Sequence, residues 1–154
     1  MERKSKTNLE TRILDTSWQR KLHAKQVKFN SYTITTYLIL MVEETTWEKA
    51  PSCEPAPGVT ISIIGNGIHA SLCYIVINPG SIVDWHSHPN EQMGTLISGK
   101  GELSTPDRTV KATLGAAWKL APNEEHKFVT TGDEPAIIIE AFSPPRTDYV
   151  LAAK

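Results

Sequence analysis

Two histidines separated by a single residue, His86 and His88, are the first residues whose types and spacing could do chemistry. Side chains two apart in a strand share a face, so these imidazoles are expected to form half of a metal site. Gln92 has the same parity and could add a carbonyl oxygen, although Pro89 interrupts the strand and Glu91 is the stronger donor. These ligand types suit Fe, Mn, Co, Ni, Zn or Cu, so they predict a divalent metal without choosing the ion.

A third histidine, His126, follows a turn signal at residues 121–125 and opens the short β-prone run 126–130. If this strand lies opposite the strand of His86, four ligands converge on one point: His86, His88, Gln92 and His126. With four protein ligands, a metal that prefers five or six partners keeps open positions. Substrate or water could bind there and be polarised, which is a catalytic geometry.

Both stretches resemble the two sequence motifs of the cupin family. The first motif, G-x5-H-x-H-x3-E-x6-G, is matched by Gly80, His86, His88 and Gly99, with Gln92 in the Glu position, and the second by Gly115, Pro122 and His126. The resemblance covers about residues 58–149 and implies a small β-barrel that holds a divalent metal through its motif residues. A neutral amide at Gln92 would leave that site one negative charge poorer than the family pattern.

The C-terminal run around Glu140 is the second stretch with candidate chemistry. A carboxylate inside the apolar run 136–142 is costly to bury unless it is paired or hydrogen-bonded. In a strand Glu140 and Phe142 share a face, and Arg146 beyond the Pro-Pro corner could bind a substrate carboxylate. The competing interpretation is a structural ion pair between Glu140 and Arg146.

The same run resembles the tail of small cupins that convert unsaturated uronates into open-chain keto forms. In that group an acidic residue, a Phe and an Arg are implicated at the active site. The resemblance therefore implies catalytic roles for Glu140, Phe142 and Arg146, with Glu standing where that group has Asp.

Length and composition are typical of one domain without a basic surface. A chain of 154 residues buries about two-thirds of its unfolded surface. The net charge of −1, with mixed signs, predicts no nucleic-acid partner. Two cysteines are too few for a disulfide framework. The longest apolar run, residues 37–42, is short of the roughly 20 residues of a membrane span, and no secretory signal is seen, so we expect a cytoplasmic protein without a membrane partner.

Short β-prone runs separated by turn signals predict an all-β fold, a single cupin (jelly-roll) β-barrel with an N-terminal extension. Nine such runs lie between residues 59 and 142. We expect residues 58–150 to form the barrel and residues 1–57 the extension. Trp85 and Trp118 are expected to pack in the barrel, and His23 and His69 to be solvated.

The extension contains three segments of different character. Residues 15–29 fit a helix or a strand. Residues 31–42 favour a strand, and because its end at 37–42 is apolar on both faces, it predicts a homodimer element or a strand that covers its own barrel. Residues 43–58, with three prolines, predict a surface linker.

Three functions remain open from the sequence. The first is a metal-dependent cupin enzyme of isomerase or lyase type, acting on a small anionic, oxygen-rich organic molecule while Glu140 moves a proton. The second is a metal-dependent dioxygenase, which O2 uptake would distinguish. The third is a non-enzymatic module that binds a metal or a small molecule.

Overall fold

The computed structural model describes residues 24–29, 32–37 and 44–154. The chain divides into two compact units, residues 1–43 and 44–154. From the sequence, the barrel was predicted to start at residue 58, and this starting point stays a prediction.

The first unit contains an antiparallel hairpin of β1 (Ala24–Phe29) and β2 (Tyr32–Tyr37), with Phe29 opposite Tyr32. Val27 therefore lies in a strand, where the sequence left helix and strand open. The apolar residues 38–42 of the predicted dimer element lie outside the described residues, as does His23.

The second unit contains ten strands and one short helix. These are β3 (Ser52–Ala56), β4 (Val59–Asn66), β5 (Ser71–Ile77), β6 (Ile82–His86), β7 (Glu91–Ser98), β8 (Gly101–Thr105), β9 (Arg108–Ala112), β10 (Ala117–Leu120), β11 (His126–Thr130), β12 (Ala136–Ser143) and α1 (Thr147–Ala152). A six-stranded sheet has the order β10-β7-β12-β5-β4-β3, and a four-stranded sheet the order β6-β11-β8-β9. All pairings are antiparallel, and the predicted all-β jelly roll is confirmed.

The core lies between the two sheets. Alternate residues along β5 and β12 are buried, as expected for strands with one face in a core. Leu103 and Phe128 of the four-stranded sheet join the same apolar cluster as Ile77, Leu96 and Phe142 of the six-stranded sheet. Each such side chain contributes about 1.5–3 kcal/mol through burial. The two sheets therefore hold each other by their inner faces.

Residues 52–56 correct the prediction of a surface linker. They form β3, an edge strand of the six-stranded sheet, with Cys53 opposite Ile61. The pairing is interrupted between Cys53 and Ala56, and Pro55 lies in that interruption. Proline is tolerated at a sheet edge or a bulge, because no ladder hydrogen bond is lost there.

Helix α1 was not predicted from the sequence. It follows the Pro144–Pro145 corner, and its first turn carries Asp148. Tyr149 and Val150 pack against the core, which anchors the chain after β12. Within the described ranges, no helix combines the length and apolarity that crossing a membrane requires.

Candidate metal centre and cavity

His86 and His126 face each other across two neighbouring strands. His86 ends β6, His126 begins β11, and the antiparallel register pairs them directly. Their ring centroids are 4.2 Å apart. The predicted opposition of the two strands is therefore confirmed.

His88 reaches the same point by a different route from the one predicted. Strand β6 stops at His86, so strand parity does not place His88. The loop instead carries it inward, where its carbonyl accepts a hydrogen bond from the Asn123 amide at 2.8 Å. The His88 ring lies 5.8 Å from that of His86 and 5.2 Å from that of His126, and each histidine offers a ring nitrogen within 4.8 Å of the others.

Each of the three imidazoles is oriented by a main-chain carbonyl. The Nδ1 atoms of His86, His88 and His126 lie 2.8, 3.1 and 2.8 Å from the carbonyl oxygens of Asp84, Asn90 and Glu124. A carbonyl only accepts, so these contacts assign the proton to Nδ1. The lone pair of each Nε2 is left for a cation, which is the arrangement that metal-binding histidines use. The donor set therefore fits a divalent transition metal.

Gln92, not Glu91, lies beside the histidines. Gln92 is buried, and its Oε1 is 2.9 Å from His88 Nε2. Glu91 points to the sheet surface, where its carboxylate lies 3.8 Å from Lys119 Nζ. With the His88 proton on Nδ1, Nε2 and Oε1 are two electron-pair donors side by side, as two ligands of one cation would be.

Glu140 is held by two donors from neighbouring strands. The Gln92 Nε2 donates to its Oε1 at 2.5 Å, and the Trp118 Nε1 donates to the same oxygen at 3.3 Å. Trp118 reaches this oxygen across Gly94, where an added Cβ would lie 2.5 Å from Nε1. Trp118 therefore contacts a candidate catalytic residue, in addition to the packing role predicted from the sequence.

Burial dominates the electrostatics of the site. It raises the pKa of Glu140 to about 7, against the opposing hydrogen bonds from Gln92 and Trp118. Burial also lowers the pKa of His126 to about 4, aided by the neighbouring histidines, and lowers the pKa of His88. His126 is therefore neutral at neutral pH, as a metal ligand must be.

Arg146 does not pair with Glu140. Its Nε and Nη2 donate to both carboxylate oxygens of Asp148, at 2.9 and 2.7 Å. Its guanidinium carbon lies 3.8 Å from the Tyr149 ring centroid and 5.3 Å from that of Phe142. Among the described residues, Arg146 Nη1 is the one buried side-chain nitrogen or oxygen without a hydrogen-bond partner. The Glu140–Arg146 ion pair considered from the sequence is therefore replaced by a pair with Asp148.

Most of these groups line one cavity of about 410 Å³ between the sheets. Its apolar wall includes Val59, Ile61, Ile75, Ile77, Val83, Leu103, Phe128, Ile138 and Phe142. Its polar wall includes His86, Gln92, His126, Glu140, Arg146, Asp148 and Tyr149. A cavity that combines a set of polar groups with an apolar wall suits a small organic ligand.

Three residues near the site were missed by sequence reasoning: Asn90, Asp148 and Tyr149. Asp148, whose carboxylate binds Arg146 through both oxygens, lies in the first turn of helix α1. This helix begins without a side-chain cap, so no cap residue marked its start in the sequence. Trp85 was expected to pack in the barrel, but it is 42% exposed with Lys127 Nζ 5.0 Å above its ring. His69 is exposed, as predicted.

Residues 73–142 match the family model described as a cupin domain, and this region of the chain is a member of the cupin superfamily. This range contains the three histidines, Gln92 and Glu140. A curated relative, H2HPP isomerase of Bacillus subtilis, is 27% identical over 99 residues, which cover 64% of this chain and 42% of the isomerase. The matched region thus spans less than half of that relative's length.

Solved structures show the same fold. KdgF from Halomonas sp. is 20% identical with a TM-score of 0.59, and the match covers 63% of this chain and 90% of that chain. An RmlC-like cupin from Shewanella frigidimarina is 19% identical with a TM-score of 0.63, and covers 70% and 96%. At these identities the likeness concerns the fold, and the chemistry has to be argued from the residues of this chain.

Proposed function

We propose that this protein is a metal-dependent cupin enzyme that acts on a small anionic, oxygen-rich organic molecule by isomerase or lyase chemistry. The observation that carries the proposal is the buried Arg146 Nη1, which has no hydrogen-bond partner among the described residues and belongs to a side chain lining the cavity of the histidines. An unpaired buried donor is costly unless a ligand satisfies it. A guanidinium favours a carboxylate or another planar oxyanion.

The proposed ligands are His86, His88, His126 and Gln92, because their nitrogen and oxygen lone pairs converge. A bound divalent ion would polarise a carbonyl or hydroxyl oxygen of the substrate. The donor set is compatible with Fe, Mn, Co, Ni, Zn or Cu. Main-chain carbonyls orient the three imidazoles, so the protein sets their orientation before a metal binds.

Arg146 and Phe142 are proposed to position the substrate. Asp148 fixes two of the guanidinium nitrogens, and Tyr149 and Phe142 lie against its faces, so the remaining nitrogen is held rather than mobile. Phe142 also lies edge-on to His88, with ring centroids 5.5 Å apart. A carboxylate held by Arg146 would leave the rest of a small molecule in the cavity.

Glu140 is proposed to take or give the proton. It lines the cavity beside Gln92 and is buried among apolar side chains of β12 and its neighbours. A positioned carboxyl group typically contributes 10²–10⁴-fold to a proton-transfer step. Unsaturated uronates are the substrates we favour, since they carry both a carboxylate and several oxygens, and since the tail from Glu140 to Arg146 resembles that of cupins that convert them. An isomerase among the relatives agrees with the reaction type.

The test is a conversion assay on metal-loaded protein with a panel of unsaturated uronates and phenolic compounds while O2 is monitored. We expect loss of the ultraviolet absorbance of the conjugated uronate without O2 uptake. Glu140→Gln should keep the fold and the metal and lose about a hundredfold or more in turnover. Substrate-dependent O2 consumption would instead identify a dioxygenase, and a lack of turnover on the whole panel would favour a binding module.

We also propose that the protein is a homodimer. Outward-facing apolar residues form a row across the six-stranded sheet, since Ala141 of β12 lies between Leu72 of β5 and Met93 of β7. Leu72 and Met93 are 40% and 49% exposed. Contiguous exposed apolar surface favours association, so this sheet face is a second candidate surface besides the N-terminal segment.

A further inference from the structure

Gln92 carries a side chain whose two ends differ chemically. Its carboxamide oxygen has lone pairs for a cation, whereas its NH2 group has two donors and no ligand function. The two ends have almost the same shape, so shape alone does not keep the oxygen toward the histidines. An amide that acts as a ligand therefore needs a neighbour that distinguishes oxygen from nitrogen.

Glu140 is placed to make that distinction. Its Oε1 accepts from Gln92 Nε2 at 2.5 Å and from Trp118 Nε1 at 3.3 Å. Indole Nε1 only donates, so the Trp118 contact requires this oxygen to be an acceptor. If the amide turned over, Gln92 Oε1 would face that oxygen, and two acceptors would be in contact inside a buried site. With a cation bound, the orientation with Oε1 beside His88 Nε2 satisfies both ends, since the oxygen then meets the cation and the NH2 group meets Glu140.

We propose that Glu140 is a positioning residue for the metal centre, orienting the Gln92 amide so that its oxygen faces the cation. The inference rests on the metal site of the proposed function and is distinct from proton transfer by Glu140. It explains how a cupin with a neutral amide ligand keeps that ligand in one orientation. Trp118 supports the arrangement by donating a hydrogen bond to the same oxygen.

The test compares Co²⁺ affinity, measured by calorimetry, in two backgrounds that differ at position 92. Glu140→Leu removes the acceptor, so in the Gln92 protein we expect an affinity loss of about 10–100-fold, typical for partners of metal ligands. A carboxylate presents an oxygen at both ends and needs no orienting partner. In the Gln92→Glu background, where Glu140 would face a second carboxylate, Glu140→Leu should therefore cause no loss of Co²⁺ affinity.

Two further variants separate orientation from packing. Glu140→Gln keeps an acceptor oxygen for the Gln92 NH2, so its Co²⁺ affinity should stay well above that of Glu140→Leu. Trp118→Phe removes the other hydrogen bond to Oε1 but leaves the Gln92 contact, and should lose less than Glu140→Leu. Glu140→Met is made in parallel, since its unbranched side chain keeps the path of Glu if the branched Leu prevents folding. Melting curves confirm that the compared variants are folded.

The outcomes are distinct from those of the proposed function. An equal loss of affinity from Glu140→Leu in both backgrounds, or no loss in either, overturns the inference while the metal site stands. A wild-type protein that binds no Co²⁺, Ni²⁺ or Mn²⁺ overturns the proposed metal centre itself. Absence of turnover on the substrate panel leaves the inference unaffected, because its readout is metal affinity.

Discussion

At the scale of single residues, each proposed ligand has a partner that determines which of its atoms faces inward. Main-chain carbonyls hold the Nδ1 atoms of the three histidines, and Glu140 holds the amide of Gln92. Such partners fix the ring orientation and raise the basicity of the ligand atom. The inward-facing donors are therefore arranged by the protein alone.

His126→Ala should weaken Co²⁺ binding more than Gln92→Ala, by about tenfold or more, or about 1.4 kcal/mol. An imidazole nitrogen is the stronger ligand for first-row transition metals than an amide oxygen. Calorimetric titration of both variants measures the difference. Equal losses would count against this ranking, and the exposed His69→Ala is the matched control that should bind like the wild type.

The free energy of unfolding of the metal-free protein should depend on pH through His126. Its pKa is about 4 in the folded state and about 6.5 when unfolded. Its stabilising contribution is therefore complete above about pH 6.5 and is lost as the pH falls toward 4, because only the unfolded state then takes up the proton. Urea unfolding with a chelator should show the stability advantage of wild type over His126→Gln shrinking across this window.

Glu140 changes stability in the opposite direction. The pKa of Glu140 is higher in the folded state than in the unfolded state. Its contribution to the free energy of unfolding is therefore complete below the pKa of the unfolded state and is lost as the pH rises through about 7. Both proteins in the comparison contain Glu140, so its effect cancels in their difference. A difference between wild type and His126→Gln that does not vary with pH would contradict the assignment to His126.

At the scale of elements, the loop between β6 and β7 is tied to the corner after β12 by one side chain. Buried Asn90 donates through Nδ2 to the carbonyl oxygens of Pro144 and Pro145, at 2.6 and 3.4 Å. Its own carbonyl accepts from His88 Nδ1. The corner leads directly into Arg146, so Asn90 connects the loop of a proposed metal ligand with the chain that positions the guanidinium.

Asn90→Ala should lower the free energy of unfolding by about 1 kcal/mol or more, because two carbonyl oxygens in a partly buried corner lose their donor. The exposed Asn78→Ala, which removes an amide without a side-chain hydrogen bond in the described residues, should change stability by less than about 0.5 kcal/mol. Urea unfolding of both variants gives the comparison. Similar small losses in the two proteins would show that the Asn90 contact does not hold the corner.

At the scale of the whole molecule, each sheet contributes one part of the site. His86 and His126 come from the four-stranded sheet, whereas Gln92 and Glu140 come from the six-stranded sheet. The apolar core that holds the sheets together therefore also sets the distance between the proposed ligands. The outer face of the larger sheet carries apolar side chains that a partner subunit could cover.

The full-length protein should sediment as a dimer at micromolar concentration. If the N-terminal third forms the interface, deletion of residues 1–45 should leave a monomer or an aggregate. If the outer sheet face forms it, Met93→Glu should yield the monomer while the deletion stays dimeric, because a buried unpaired charge opposes association. A full-length monomer would refute the proposed homodimer.

The sequence by itself determined the strands and the histidine cluster. Alternating side chains and turn residues are local properties, so the nine strands predicted between residues 59 and 142 are all present. The pairing of His86 with His126 followed from the two motifs. Residues 52–56 were misjudged because prolines suggest a linker unless an edge position is available, and edge positions depend on the whole sheet.

The tertiary structure alone decided how the side chains around the candidate metal centre are partnered. Gln92 and Glu140 are 48 residues apart, and Trp118 and Glu140 are 22 apart. These contacts exist because β7 lies between β10 and β12, an order that no local pattern specifies. The choice of Gln92 over Glu91 likewise depends on which face of β7 meets the core. Such partners are chosen by packing, since a buried polar group is stable only where the neighbouring strands supply its hydrogen bonds.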